Sequence, residues 1–249
     1  MKTILITGCS SGFGLEIAKH FLERDWKVIA TMRTPDAELL PRSEHLRILS
    51  LDVTDAESIR AAVEAAGPID ALVNNAGIGF LNAIEGTPMD KVREIFETNT
   101  FGTIALTQAV VPQFRERNAG VIVNVTSSVT LRPLLLLSIY TASKAAVNAF
   151  TESLALELKP FNVCACLVLP GQAPGTKFAE NARGRMLDIP DAYGELAQKV
   201  FTQWAESTET KTRSEDVAEA VWKVVTEPGG PSFLPAGADA VAWAETVRK

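Results

Sequence analysis

The chain has 249 residues, and its 24 Lys and Arg residues against 30 Asp and Glu residues give a formal net charge of −6. This acidic balance argues against a general nucleic-acid-binding protein, which needs a basic excess. Hydrophobic residues make up 47% and charged residues 22% of the chain, which excludes wholesale disorder and allows a large core.

Strand-like and helix-like patterns alternate along the first 170 residues. Strands are predicted at residues 3–7, 27–32, 45–51, 70–74, 120–126 and 162–169, and helices at residues 12–24, 54–66, 88–118 and 138–159. The runs at 120–126 and 162–169 are apolar without alternation, which is typical of strands buried on both faces of a sheet. The alternation predicts right-handed βαβ units and a doubly wound parallel sheet, in an α/β fold of three layers.

Regular patterns become sparse after residue 170. Residues 171–184 are rich in Gly, Pro and Ala and carry no predicted element, whereas helices are predicted at 190–207, 214–226 and 238–248. Pro112 marks the place where the predicted helix 88–118 can bend. Because no linker or repeat divides the chain, we predict a single domain over residues 1–249.

The cellular setting is predicted from what the sequence lacks. No apolar run reaches the roughly 18 residues that span a bilayer, and the first residues have the pattern of folded structure rather than of a signal peptide. Cys9, Cys164 and Cys166 are odd in number and lack the spacing of a zinc site or a disulfide framework. These features predict a cytoplasmic protein without a metal site.

A glycine-rich loop joins the first predicted strand to the first predicted helix. Gly8, Gly12 and Gly14 have Gx3GxG spacing, which allows a tight turn and lets a pyrophosphate approach the free N–H groups of the helix. The alternative is an ordinary glycine-rich turn. The position between first strand and first helix favours a dinucleotide site.

The same loop also matches the GxSxG motif of serine hydrolases, with Ser10 as the nucleophile. That mechanism needs a histidine after both the nucleophile and the acid. The chain has only His20 and His45, both in its first fifth. The hydrolase interpretation is therefore disfavoured.

Tyr140 and Lys144 lie four residues apart at the start of a predicted helix, so they share one face. A free tyrosine has a pKa of about 10, and a nearby ammonium lowers it towards the range useful for acid–base catalysis. The alternative is an exposed Tyr–Lys pair. Ser127 and Ser128 follow the fifth strand, and residues 74–77 follow the fourth, at the sheet edge where such folds bind ligands.

Taken together, these motifs resemble the short-chain dehydrogenases/reductases. The resemblance rests on the loop at 7–14, Asn-Asn-Ala-Gly at 74–77, the serine after the fifth strand, Tyr-x3-Lys at 140–144 and Pro-Gly at 170–171. It implies a Rossmann-like fold and reversible hydride transfer between a nicotinamide and an alcohol or carbonyl.

The resemblance also implies catalytic roles. Tyr140 would be the general acid in reduction and the base in oxidation, and Lys144 would bind the nicotinamide ribose and lower the tyrosine pKa. Ser127, thirteen residues before the tyrosine, fits the family spacing better than Ser128 and would bind the substrate oxygen. Asn99 matches the position that holds a water of the proton relay.

Cofactor contacts are carried over in the same way. The implied contact residues are Gly8, Ser10, Ser11, Gly12, Phe13, Gly14, Asp52, Val53, Asn75, Ala76, Gly77, Tyr140, Lys144, Pro170 and Gly171. Asn74 would mainly tie its strand to the neighbouring strands. The second strand ends without an acid and is followed by Arg33, whose guanidinium suits a 2′-phosphate, so we predict NADP(H) rather than NAD(H). As alternatives to these cofactor contacts, Arg33 is simply solvated at the start of a loop, and Asp52 is only a residue at the N-terminus of a helix.

The substrate is predicted from apolar residues beyond the cofactor motifs. Four leucines at 134–137 lie in the segment that lines the pocket in this family, and residues of about 171–212 would form the rest of the substrate site. The apolar residues there are Phe178, Met186, Leu187, Ile189, Tyr193, Leu196, Phe201 and Trp204. They predict a hydrophobic alcohol, ketone or aldehyde, with plain packing or a subunit contact as the alternative. Thr176 stands one residue later than the family spacing, which leaves its cofactor contact in doubt.

Small residues on the helix after Tyr140 predict an oligomer. Ala142, Ala146, Ala149 and Ser153 form a stripe at helical spacing, and close helix pairing along it would give a homodimer or homotetramer; good helix propensity alone is the alternative. A rival function is a dinucleotide-binding regulatory protein on the same fold. Such a protein would tolerate loss of Tyr140 or Lys144, and both are present.

Overall fold

A seven-stranded parallel sheet forms the centre of the computed structural model, which describes residues 1–174, 176–206, 210–227 and 229–247. The strands are β1 (Thr3–Ile6), β2 (Lys27–Met32), β3 (Leu46–Ser50), β4 (Ala71–Asn74), β5 (Gly120–Val125), β6 (Val163–Pro170) and β7 (Phe233–Ala236). Their order is β3-β2-β1-β4-β5-β6-β7, so the direction of winding reverses between β1 and β4. This reversal opens a crevice at the carboxyl ends of the strands, where ligands bind in such sheets.

Helices cover both faces of the sheet. They are α1 (Gly12–Leu22), α2 (Ala56–Ala66), α3 (Met89–Phe96), α4 (Gly102–Arg117), α5 (Ser138–Leu158), α6 (Lys177–Gly184), α7 (Gly194–Glu206), α8 (Ser214–Thr226) and α9 (Ala238–Val247). Ile4 and Ile6 pack with α1 and α8, whereas Leu5 between them packs with α2, α4 and α5. This alternation follows from the period of two along a strand. The predicted doubly wound fold of three layers is confirmed.

The helix predicted over 88–118 is wrong as a single element. The chain forms α3 and α4 with a π-helical turn, Glu97–Phe101, between them, and Pro112 lies within α4. A π turn holds one residue more than an α turn, which turns the side chain of Asn99 into the protein. Buried hydrogen bonds of Asn99 therefore override the regular helical pattern.

Two further elements were not predicted. Helix α6 occupies residues thought to be irregular, and it begins with Glu180 in its first turn and ends with Arg183, as the helix dipole favours. Strand β7 contains Pro235, which is tolerated because β7 pairs only with β6 at the edge of the sheet. Residues 207 and 248, the ends of two predicted helices, lie outside the described residues.

No helix in the described ranges is long and apolar enough to cross a membrane. The same ranges contain no group of three or more His, Cys, Asp or Glu side chains that could hold a metal ion.

Candidate active site

One cavity of about 1040 Å³ opens at the carboxyl edge of the sheet. Of the predicted site residues, those on its wall are Gly8, Ser10, Ser11, Gly12, Phe13, Arg33, Asp52, Val53, Asn75, Ala76, Gly77, Ser127, Tyr140, Lys144, Pro170 and Gly171. Gly14 and Asn99 lie behind the wall. The fold thus brings motifs from distant parts of the chain to a single cavity of the size that binds small molecules.

The glycine loop has the geometry that an anion site needs. Gly8 and Gly12 adopt φ values of 72° and 56°, in the left-handed region that favours glycine. A side chain at Gly14 would overlap the carbonyl oxygen of Gly8. Helix α1 has Ser11 as its N-cap without a side-chain capping bond, and no acidic residue stands in its first turn. The first N–H groups of α1 therefore remain available, and the loop fits a pyrophosphate.

Thr7 joins the glycine loop to the segment after β4. Its hydroxyl accepts hydrogen bonds from the backbone N–H groups of Asn75 and Ala76, both at 2.9 Å, and the Asn75 side chain donates to the Thr7 carbonyl at 2.9 Å. Asn74 donates to the side chain of Asn124 on β5 at 2.8 Å, as expected of a residue that ties strands together. Thr7 was missing from the predicted site, although the loop motif contains it.

Asn99 supports the cavity wall from behind. Its side-chain oxygen accepts from the Ile78 N–H at 2.8 Å, and its side-chain nitrogen donates to the Ile78 carbonyl at 2.9 Å and to Ser143 Oγ at 3.1 Å. Its backbone carbonyl accepts from the Thr103 hydroxyl at 3.0 Å. The side chain is therefore fully used in positioning, and the water-holding role of Asn99 stays a prediction.

Tyr140 and Ser127 meet at the catalytic end of the cavity. Tyr140 lies in the first turn of α5, and Ser127 follows β5, where its Oγ accepts from the Val129 N–H at 3.3 Å. Burial raises the pKa of Tyr140 to about 12, and a hydrogen bond with the Ser127 side chain offsets part of this shift. Ser128 also lines the cavity, but Ser127 is the serine whose side chain lowers the pKa of Tyr140.

Lys144 lies one helical turn after Tyr140 and is buried. Its Nζ donates to the Val125 carbonyl at 3.1 Å, and burial lowers its pKa to about 8. The sequence predicts that this ammonium lowers the tyrosine pKa. In the structure the net shift of Tyr140 is upward, because burial penalises the phenolate.

The opposite end of the cavity holds Arg33 and Asp52. Arg33 is exposed just after β2, and no acidic residue ends that strand. The Asp52 carboxylate accepts from the Thr54 N–H at 2.9 Å and from its hydroxyl at 2.7 Å. These bonds, and more weakly the charge of Arg33, lower the pKa of Asp52. An arginine without an acidic neighbour on β2 suits a phosphate group.

Helix α6 covers the end of the cavity near Tyr140. The Phe178 ring lies 5.9 Å from the Tyr140 ring, and a Cβ at Gly79 would approach Ala182 to 2.8 Å and Phe178 to 2.9 Å. Large apolar residues on the wall are Phe80, Leu81, Leu134, Leu137, Phe178, Met186, Phe201, Trp204 and Trp243. Large apolar side chains thus form much of the wall, beside charged residues that include Glu94, Arg183 and Arg185.

The apolar residues predicted for this end divide into groups. Phe178, Met186, Phe201 and Trp204 line the cavity, as do Leu134 and Leu137 from the four-leucine run. Ile189 and Tyr193 pack against a buried cluster that contains Leu136 and that Leu137 and Met186 also contact, while Leu135 is exposed. Leu187 and Leu196 belong to neither group. Trp243 on α9 was not predicted, since nothing in its local pattern points to the cavity.

The histidines do not assemble a hydrolase triad. Ser10 lines the cavity, but no described residue of the cavity wall is a histidine. His20 lies on α1 with its Nε2 3.4 Å from Glu219, and burial lowers its pKa. His45 precedes β3.

Comparison with known proteins gives a consistent result. A family model described as short chain dehydrogenase matches residues 2–186. The chain is 37% identical to the uncharacterized oxidoreductase YusZ of Bacillus subtilis over 91% of this chain and 85% of that protein. It is 33% identical to human retinol dehydrogenase 8 over 92% of this chain and 79% of that protein. A solved structure of serine dehydrogenase complexed with NADP+ superposes with a TM-score of 0.81 at 30% identity, covering 95% of each chain.

Proposed function

Since the chain belongs to the short-chain dehydrogenase family, we propose that it is an NADP(H)-dependent oxidoreductase that interconverts a hydrophobic alcohol and its ketone or aldehyde. It would thus act as an alcohol dehydrogenase or carbonyl reductase. The observation that carries the proposal is the position of Tyr140. Its hydroxyl lies close enough to Ser127 for that side chain to lower its pKa, and both residues line a cavity that also contains the glycine loop and many apolar side chains.

The side chains divide the chemistry among them. The bound nicotinamide would supply or accept the hydride. Tyr140 would donate its proton to the carbonyl oxygen in reduction and take it back in oxidation, while Ser127 hydrogen-bonds the same oxygen. Lys144, with its pKa of about 8, carries a positive charge at neutral pH and would hold the ribose hydroxyls. We keep Asn99 as the proposed end of a proton relay.

The cofactor preference rests on Arg33. The guanidinium would pair with the 2′-phosphate of NADP(H), whereas an acidic residue that would favour the free ribose of NAD(H) is lacking on β2. Serine dehydrogenase, similar to this chain, is complexed with NADP+ in its solved structure. The other proposed contacts are Gly8, Ser10, Ser11, Gly12, Phe13, Gly14, Asp52, Val53, Asn75, Ala76, Gly77, Tyr140, Lys144, Pro170 and Gly171.

The apolar wall supports a hydrophobic substrate. Phe178 and Trp204 face the cavity from the segment of about 171–212, which we assign to substrate binding. Burial of an apolar ligand face stabilises binding by about 25 cal/mol per Å². The similarity to retinol dehydrogenase 8 agrees with a lipophilic alcohol.

An exposed stripe on α5 and free thiols support our proposals for assembly and location. Ala142 and Ala149 are exposed on α5, with Ala146 partly exposed between them, so this stripe is open for pairing with a second copy as a homodimer or homotetramer. The described cysteines are free thiols, which fits our proposal of a reducing, cytoplasmic setting.

The cofactor is tested by titrating the protein with NADPH and separately with NADH, following quenching of tryptophan fluorescence. We expect tighter binding of NADPH, and we expect Arg33→Ala to reduce that preference at least about tenfold, the size of one lost charged hydrogen bond. Arg42→Ala, in the loop before β3, is the control. An unchanged preference in Arg33→Ala would remove the basis for NADP(H).

Turnover is tested with NADP+ and a series of secondary alcohols of increasing hydrophobicity. We expect kcat/KM to rise with apolar size, and Tyr140→Phe to lower kcat by about 10²–10⁴-fold, as for loss of a general acid–base group. Tyr193→Phe changes the other tyrosine of the chain and keeps kcat within about threefold of the parent. Full turnover by Tyr140→Phe would exclude this mechanism.

A further inference from the structure

The carboxylate of Asp239 lies buried beside the cavity, although no part of the chemistry above uses it. Asp239 stands in the first turn of α9, immediately after β7. Its Oδ2 accepts from the backbone N–H of Gln172 at 2.7 Å, and its Oδ1 accepts from the Thr212 hydroxyl at 2.6 Å. A carboxylate with two short hydrogen bonds at a helix N-terminus is held in a single orientation.

Thr212 extends this contact to the residue before Gln172. Its Oγ accepts from the Gly171 N–H at 3.0 Å, while its backbone N–H donates to the Gln172 carbonyl at 2.9 Å. The Thr212 hydroxyl also lies 3.1 Å from the Ala236 carbonyl. A hydroxyl has one proton, which goes to the nearer and charged acceptor, Asp239, so its lone pairs remain directed at Gly171.

Two glycines make room for these contacts. A Cβ at Gly171 would overlap the Asp239 carboxylate, and a Cβ at Gly237 would overlap the Thr212 hydroxyl. Gly237 also has a φ of 96°, which an L side chain rarely adopts. The close approach of the three segments therefore depends on both glycines.

The segment held in this way is part of the cavity wall. Gly171 and Gln172 line the cavity, and Lys211 donates to the Gln172 side chain at 2.7 Å. The backbone N–H groups of both residues and the carbonyl of Gln172 are thus bonded to residues at 211–212 and 236–239. These partners come from the last fifth of the chain.

We propose that Asp239 is a positioning residue that, together with Thr212, fixes residues 171–172 as the cofactor-facing edge of the cavity. It does not touch the reacting atoms. The inference rests on the proposed function, because it assigns Gly171 to the dinucleotide site. Its effect is expected on the conformational freedom of residues 171–172 and on cofactor affinity.

The first test needs no cofactor. Backbone amide hydrogen exchange at 171–172 is compared in the unmodified protein, in Asp239→Asn, and in Thr212→Val. Asp239→Asn keeps the size of the side chain but places an amide where two donors converge, and Thr212→Val removes the hydroxyl. We expect exchange at the Gln172 amide to accelerate about tenfold or more in Asp239→Asn, as for loss of a buried hydrogen bond. The acceleration at Gly171 should be smaller, because its N–H keeps the Ala236 carbonyl at 3.2 Å as an acceptor.

Asp70→Asn is the matched control. Asp70 accepts from the backbone N–H of Thr3 at 2.7 Å, which is the same kind of bond. It lies at the amino ends of β1 and β4, on the side of the sheet away from the cavity. The control should change the overall melting temperature without changing exchange at 171–172. Equal exchange at 171–172 in Asp239→Asn and in the control would overturn the proposal.

The second test is the dissociation constant of NADPH, measured by tryptophan fluorescence. We expect it to rise about tenfold in Asp239→Asn and by less than about twofold in Asp70→Asn. If the unmodified protein binds neither NADPH nor NADH, the proposed function fails, while the exchange experiment still decides the role of Asp239. Faster exchange with an unchanged dissociation constant would overturn the assignment of this edge to the cofactor.

Discussion

The side-chain amide of Asn99 pairs with the backbone N–H and the backbone carbonyl of Ile78, although the two residues lie 21 positions apart. The Asn99 side chain presents an acceptor to the Ile78 N–H and a donor to the Ile78 carbonyl, so it imitates a neighbouring strand. Segment 75–78 leaves the sheet after β4, and Ile78 at its end gains its hydrogen-bond partners in this way. The π turn at Glu97–Phe101 is the backbone irregularity that makes the pairing feasible.

This pairing predicts that Asn99→Ala lowers the free energy of unfolding by about 1–2 kcal/mol, because the part-buried N–H and carbonyl of Ile78 lose their partners. Asn99→Asp keeps the acceptor for the Ile78 N–H but loses the donor to the Ile78 carbonyl. Its free energy of unfolding should lie between those of the unmodified protein and Asn99→Ala. Urea denaturation measures both. A loss below about 0.5 kcal/mol in Asn99→Ala would contradict the structural role.

The two serines after β5 should differ in their effect on catalysis. Ser127→Ala removes the hydroxyl that bonds to Tyr140, and we expect kcat to fall about 10–100-fold, the equivalent of one strong hydrogen bond. Ser128→Ala is the matched control, with a change below about threefold. The reverse order of effects would assign the substrate contact to Ser128.

The pKa of Tyr140 can be measured directly, since the chain has two tyrosines. In Tyr193→Phe, the remaining tyrosine should keep its proton until the pH approaches about 12, because burial disfavours the phenolate. The ultraviolet absorbance of tyrosinate reports the titration, with circular dichroism as the control for alkaline unfolding. Titration near pH 10 in the folded protein would mean that the phenol is not buried.

We expect the buried Lys144 to lower the free energy of unfolding, although it supports the proposed catalysis. Its pKa in the folded protein is about 8 against an ordinary 10.5, so the unfolded chain binds more protons between these values and stability rises with pH across that window. Below pH 8 the penalty corresponds to about 3 kcal/mol. Replacement of Lys144 by methionine removes the penalty of the buried charge. It also leaves the Val125 carbonyl without its donor, which costs about 1 kcal/mol.

Lys144→Met is therefore expected to be more stable than the unmodified protein by about 2 kcal/mol at pH 7 and to lose this advantage at pH 10. Denaturation by urea at the two pH values measures the difference. Lys159→Met, at the exposed end of α5, should show no such dependence on pH. A less stable Lys144→Met protein at pH 7 would contradict the cost of the buried charge.

The sequence predicts the sheet and the family well, and both are confirmed. Strands such as β5 and β6 are buried on both faces, so their apolar runs predict strands clearly. The glycine loop needs residues without a side chain at fixed positions, and the spacing of its glycines shows this need. The five motifs of the family meet in one cavity because parallel strands deliver their carboxyl ends to the same edge of the sheet.

Other features depend on contacts that local patterns do not contain. Asn99 looks like an ordinary polar residue on a helix until Ile78 lies beside it. The Trp243 ring has a cation–π partner, the Arg132 guanidinium, 3.6 Å from its centroid, but the two residues are more than a hundred positions apart in the sequence. The upward pKa shift of Tyr140 depends on its burial, which the spacing of Tyr140 and Lys144 does not reveal.

The contacts of Asp239 have a consequence for the order in which the molecule is made. During synthesis the glycine loop leaves the ribosome first, and the strands from β1 to β6 can pair before the last helix exists. The edge at Gly171 acquires its partners only when residue 239 has emerged, about seventy residues later. The first six strands can therefore pair before the wall at Gly171 is held, and the last strand and Asp239 complete the sheet and this wall together.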